Sequence, residues 1–244
     1  MVDAPAQAVL TLADLPEAAG ALILNATAPD SRLREEDCRA NVLHTGLTPE
    51  MRADALMQVL AAKRWTDLAL IAGPRPEDRV LAQAFAASAR KFGLKLAATL
   101  DWPVEADLRR SASAEVPLFT QSLPDHDVLL VADEANDFAR YVAYNTWAPR
   151  PLAGSEGMVP AGWARAVEAA GAAQLQGRFA DLAGRGMQAP DYAAWAALRA
   201  YMLGPDFTLA GFKGRPLTFR PWNGQLRQPV PVAHAGALVA MAPV

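Results

Sequence analysis
The sequence predicts an α/β protein built from parallel strands and helical crossovers, and three observations carry that reading. Residues 66–102 run as a short apolar stretch (68–72), Gly73, an amphipathic stretch (77–92), Gly93 and a second apolar stretch (94–100). That is the order strand, helix, strand, and a crossover of this length joins parallel strands in a right-handed βαβ unit. Residues 127–132, DVLLVA, form the clearest strand, with Asp133 and Glu134 at its carboxyl end. The 244 residues, 52% hydrophobic and 20% charged, suffice for one large or two small domains.

Composition also restricts partners. A net charge of -3 gives no basic stripe for nucleic acid. No apolar run approaches the roughly 20 residues of a membrane span, so no membrane insertion is expected. The start, MVDAPAQAVLTLADLP, lacks a basic n-region and a cleavage pattern, so no signal peptide is expected in this sequence. The single cysteine, Cys38, excludes an internal disulfide. Arginine outnumbers lysine 19 to 4. A GC-rich genome accounts for that skew; the alternative is selection for the planar fork that grips carboxylates and phosphates.

Taken in order, residues 5–15 fit a short helix closed by Pro16, and 21–25 (ALILN) a buried strand. Residues 32–39 are too charged for a core, and 41–45 (NVLHT) read as another short strand. Thr48 is the N-cap and Pro49 the first residue of a helix over 49–64. After the βαβ unit, a helix over 107–121 should end at Pro117, and 137–144 form a short helix. The loop 145–151 (NTWAPRP) leads through a brief strand to Gly154, Ser155, Glu156 and Gly157. Residues 160–170, 174–183 and 191–203 read as helices, 207–231 as hairpins and extended crossings, and 229–241 as strand.

Parallel sheets bind ligands beyond the carboxyl ends of their strands. That places 73–77 and Asp101–Trp102 on one candidate edge. Gly73-Pro74-Arg75-Pro76 follows a strand but lacks the GxGxxG spacing, and no GxxxxGK[ST] occurs, which disfavours nucleotide binding by those loops. His44, His126 and His234 are scattered, with no HExxH or Cys/His ligand spacing, so no metal site is expected. There is no GxSxG elbow. Cys38 with His44 is a conceivable thiol–imidazole pair, though a cysteine among arginines in a charged turn is more often incidental. Asp133 and Glu134 either cap the next helix or hydrogen-bond a ligand. Trp102, Trp147 with Arg150, and Trp222 between Arg220 and Arg227 stand in loops; Trp163 and Trp195 lie on helical faces as core residues. Loop tryptophan with arginine offers a flat anion a stacking face and a carboxylate fork. Equally, such tryptophans plug gaps between lobes and such arginines cap carbonyls.

Four stretches carry a family resemblance: RPEDR (75–79), LREEDCRANVLHT (33–45), VADEANDFARYVAYNTWAPRP (131–151) and GFKGRPLTFRPWNGQLRQP (211–229). Together they resemble ABC-transporter-type periplasmic substrate-binding proteins associated with pyrroloquinoline quinone (PQQ)-dependent alcohol dehydrogenase systems, relatives of the branched-chain amino-acid binding proteins. The resemblance implies a type I periplasmic-binding fold: two Rossmann-like lobes joined by crossing strands, with a ligand cleft at the hinge. It divides the chain into 1–47 and 174–219 as a partial first lobe, and 48–173 and 220–244 as the second. The first lobe is expected to be truncated, because members carry α/β units before the equivalent of Met1 and a longer segment between Ala194 and Tyr201.

The implied function is non-catalytic binding of a small anionic or aromatic solute, with periplasmic localisation and an ABC permease or PQQ-dependent dehydrogenase as partner. No cofactor is expected, although PQQ itself could be the bound ligand. Candidate ligand-binding residues are Arg75, Trp102, Asp133, Glu134, Trp147, Arg150, Ser155, Glu156, Arg220 and Trp222. The alternatives are an α/β enzyme acting on a small carboxylated substrate with Asp133 or Glu134 as base, and an interaction module without a ligand.

Overall fold
Apolar runs bounded by turn residues become strands, and the computed structural model places them in parallel pairs; it describes residues 1–103, 108–203 and 208–243, with the side chains of 108–110 and 203 left out. The helix expected over 107–121 and the hairpins expected over 207–231 therefore begin at residues outside that description. The chain opens with α1 (Ala6–Ala13), which buries Val9 and Leu10 in a cluster with Ile23, Leu33 and Val42. Strands β1 (Ile23–Asn25) and β2 (Val42–His44) pair in parallel, Ile23 opposite Val42 and Asn25 opposite His44. Residues 32–39 do not stay out of the core, because Leu33 and Arg34 are both buried. A buried guanidinium needs partners. Arg34 donates to Gln225 Oε1 at 2.7 Å and to the carbonyls of Ala28, Asp30 and Gly46.

The middle of the chain alternates helix and strand: α2 (Pro49–Ala62), β3 (Asp67–Ala72), α3 (Pro76–Lys91), β4 (Lys95–Asp101), α4 (Leu108–Thr120), β5 (Val128–Ala132), α5 (Ala139–Val142) and β6 (Leu152–Gly154). These strands form one sheet in the order β4-β3-β5-β6, with every pairing parallel. All of β5 and nearly all of β3 is buried, as expected of central strands covered on both faces. Pro117 does not end α4, which runs on to Thr120. Proline has no N–H to give to the carbonyl four residues back, so α4 forgoes one bond at Pro117.

The remainder comprises β7 (Val159–Pro160), α6 (Ala172–Ala183), α7 (Ala189–Leu203), β8 (Leu209–Ala210), β9 (Pro216–Phe219), β10 (Leu226–Arg227), β11 (Val230–His234) and β12 (Ala237–Ala242). Strands β10, β9 and β8 form a small antiparallel sheet, and β12, β11 and β7 another. Residues 160–170 are not helical: Pro160 pairs with Val232, and Ala161 donates its N–H to the Pro231 carbonyl. Trp163 is thus core without lying on a helix, stacked on Tyr192 at 4.8 Å.

Contacts group Met1–Pro49 with Ala161–Pro231 and Pro243 as a first unit, and Glu50–Pro160 with Val232–Ala242 as a second. Residues 161–173 and 220–231, assigned from the sequence to the second lobe, pack in the first unit. Trp163 on Tyr192 and Gln225 on Arg34 hold them there.

The first unit also buries Lys213. Its ammonium donates to Gln228 Oε1 and the Gly162 carbonyl and lies 4.3 Å from the Tyr192 ring centroid. Burial lowers its pKa to about 7 from the ordinary 10.5. The unfolded chain therefore binds one more proton than the folded chain between about pH 7 and 10.5, so this group makes stability rise with pH across that window. Urea denaturation at pH 7 and pH 10 should show that rise, and Lys213→Met should flatten it.

Candidate functional site
The sheet of the second unit sets where a ligand can sit. From β3 the chain crosses to β4 on one side, while β5 lies on the other side of β3 and leads on to β6. The direction of winding reverses between β3 and β5, and a crevice opens beyond the carboxyl ends at such a reversal. The N–H of Gly73 donates to the Ala132 carbonyl at 2.8 Å, which closes the pairing where the two loops diverge.

Two buried carboxylates organise these loops. Asp78, in the first turn of α3, accepts the Arg75 N–H through Oδ2 at 3.1 Å and the Glu134 N–H through Oδ1 at 2.7 Å. It thereby ties the loop after β3 to the loop after β5. Burial raises its pKa, the two backbone donors oppose that, and the neighbouring Asp133 charge adds to the rise. Asp133 receives the N–H groups of Asp137, Phe138 and Ala139, and its own N–H donates to Ser155 Oγ at 2.9 Å. A side chain on Gly73 would place its Cβ 2.3 Å from Asp78 Oδ2, so only glycine lets this carboxylate in.

Above these anions runs a rim of paired charges. Arg52 of α2 grips Glu134 with both terminal nitrogens, at 2.6 and 3.1 Å. Arg75 meets Asp137 at 2.6 Å, and Arg79 meets Asp101 at the end of β4. The Arg75–Asp137 and Arg79–Asp101 pairs are both about half-exposed and weakly held, since ion pairs open to water contribute little. Ser155 and Glu156 complete the edge after β6, Glu156 accepting the Gly157 N–H at 3.1 Å.

Of the ten candidates, Arg75, Asp133, Glu134, Ser155 and Glu156 therefore share the carboxyl edge. Trp102 follows β4 to the same edge but turns its ring inward. It stacks on Phe138 at 4.5 Å and meets Phe119 edge-on at 5.0 Å, so it is core and offers a solute no free face. Trp147 and Arg150 stand at the opposite, amino edge. They precede β6, which is parallel to β5, and Arg150 pairs with Asp125 ahead of β5. Trp147 is 66% exposed there, its backbone N–H donating to Thr120 Oγ1. Arg220 and Trp222 belong to the first unit, in the β9–β10 turn, with the guanidinium 5.9 Å from the Trp222 ring centroid. Gly224 of that turn packs on Val42 and Leu43, alongside β2 and not beyond its end.

The oxygens of Asp133 are buried and taken by three backbone donors, and Glu134 is held by Arg52. Neither is free to act as the base of the enzyme alternative. Among the described residues no three His, Cys, Asp or Glu converge as metal ligands. What the edge offers is exchangeable arginine. Asp78 and Arg52 escaped the sequence reading: the proline-led helix start at Pro76 signals an acid in its first turn, whereas nothing local links Arg52 to a residue 82 positions away.

No family model and no curated protein matches the sequence. Solved structures do match. A solute-binding protein of an ABC transporter from R. palustris, in complex with benzoate, superposes with a TM-score of 0.69 at 12% identity, covering 98% of this chain and 75% of that one. A branched-chain amino-acid ABC transporter periplasmic ligand-binding protein from Burkholderia xenovorans LB400 gives 0.74 at 13%, covering 99% and 76%. The fold is that of the type I periplasmic binding proteins. A further relative in fold, from Rhodopseudomonas palustris BisB5 in complex with 3,4-dihydroxybenzoic acid, gives 0.67 at 12%, covering 98% and 77%. The chain spans about three quarters of the length of each.

Asp78→Asn should destabilise the second unit by about 1–3 kcal/mol, because an amide accepts only one of the two buried N–H groups. Chemical denaturation followed by the fluorescence of the buried Trp102 measures it.

Proposed function
We propose that this chain is a non-catalytic solute-binding protein of an ABC-type transport system. It acts in the periplasm, and the carboxyl edge of the second sheet forms a wall of the solute site. The observation that carries the reading is the match of nearly the whole chain to transporter solute-binding proteins, at TM-scores of 0.69 and 0.74. The edge chemistry agrees with it. A solute carboxylate can displace Asp137 from Arg75 at little net cost, because one exposed ion pair replaces another. Ser155 and Glu156 then supply polar contacts beside it.

The solute class is a small carboxylate with an aromatic or aliphatic body. Benzoate and 3,4-dihydroxybenzoic acid, bound by the two Rhodopseudomonas proteins, belong to it. PQQ, which carries carboxylates on fused planar rings, is the finer assignment. It rests on the resemblance of 33–45, 131–151 and 211–229 to proteins of PQQ-dependent alcohol dehydrogenase systems. On that assignment the partners are an ABC permease and a PQQ-dependent dehydrogenase.

Calorimetric titration with PQQ, benzoate and leucine tests the reading. At least one should bind saturably, and Arg75→Ala should weaken it about tenfold while leaving the urea midpoint unchanged. Absence of saturable binding for all three, or an unchanged affinity in Arg75→Ala, would overturn it.

A further inference from the structure
The first unit holds an open pocket of about 600 Å³ between α6, α7 and β8, apart from the sheet edge described above. On α6, Leu175, Phe179 and Leu182 recur at helical spacing and turn their apolar stripe to this space. Leu182 is 90% exposed, an unusual position for a leucine in line with two half-buried neighbours. Trp195 of α7 stands across from them, its ring 5.6 Å from that of Phe212.

Two arginines break this apolar lining. Arg178 is exposed on α6, and Arg199 on α7 lies one turn beyond Trp195. The Nε–H of Arg199 is shielded from water and meets no acceptor among the described residues. Water does not reach that atom, so a ligand entering the pocket engages the rest of the guanidinium of this lining residue. The volume falls in the range of small-molecule sites, which combine apolar walls with a few polar groups that fix orientation. The guanidinium fork suits a carboxylate, and the rings of Trp195 and Phe212 suit an apolar or aryl body.

We propose that this pocket is a second ligand site, taking a small amphipathic carboxylate such as an arylalkyl acid with its acid group on Arg199. The inference is independent of the solute site on the second unit.

The probes are 4-phenylbutyrate and its uncharged counterpart 4-phenylbutan-1-ol, titrated by calorimetry into the full chain and its variants. The acid should bind saturably and about tenfold more tightly than the alcohol. Arg199→Gln should remove that difference. Leu182→Glu, at a position too exposed to unfold the unit, should weaken the acid about tenfold by placing a negative charge on the wall. Arg75→Ala should leave the Arg199-dependent part of acid binding unchanged, which separates this pocket from the sheet-edge site. No saturable binding, equal affinity for acid and alcohol, or loss of the Arg199-dependent part of binding in Arg75→Ala in place of Leu182→Glu would overturn the proposal. So would sedimentation showing a dimer that Leu182→Glu dissociates, because a second copy would then fill the groove.

Discussion
The parallel pairing of β3 with β4 on one side and β5 on the other is the constraint from which the candidate site follows. Parallel neighbours oblige each connection to leave at the carboxyl edge and re-enter at the amino edge. Residues directly after a strand therefore reach the ligand side, and residues directly before one cannot. Arg75, Asp133, Glu134, Ser155 and Glu156 are of the first kind. Trp147 and Arg150, which follow the four-residue α5 and precede β6, are of the second.

That edge is kept in shape by anions turned inward. Asp78 and Asp133 together accept five backbone N–H groups, so the loops after β3 and β5 are braced by charge and not left to sample. The bracing costs the protein any use of these groups as bases, and it leaves the outer arginines as the adaptable part. A surface of weak, exposed ion pairs exchanges partners readily, which suits reversible solute binding better than chemistry.

The first unit solves a different problem, joining segments far apart in sequence. Arg34 reaches Gln225, the Gln225 amide reaches the Gly46 carbonyl, and the Gln228 amide reaches that of Thr45. Lys213 extends the network to Gly162. Buried polar groups hold only when satisfied, so these bonds couple residues 34–46 to 213–228.

How much could be read from the sequence follows from the range of the forces involved. Strands β3, β4 and β5, the crossover helix α3 and the apolar helix α7 are written in local periodicity, and the carboxyl-edge placement of Arg75, Asp133 and Glu134 follows from strand order alone. Helix limits were harder: Pro117 sits inside α4, and 160–170 supply the last residue of β7 and a run of turns instead of a helix. The sequence by itself determined the α/β class and which residues follow each strand, because these depend on neighbours a few positions away. Tertiary structure decided that Trp102 is core, that Arg34 and Lys213 are buried, and that Asp78 is the tie between loops. Each of those outcomes depends on a partner supplied by a distant segment, and no local pattern encodes it.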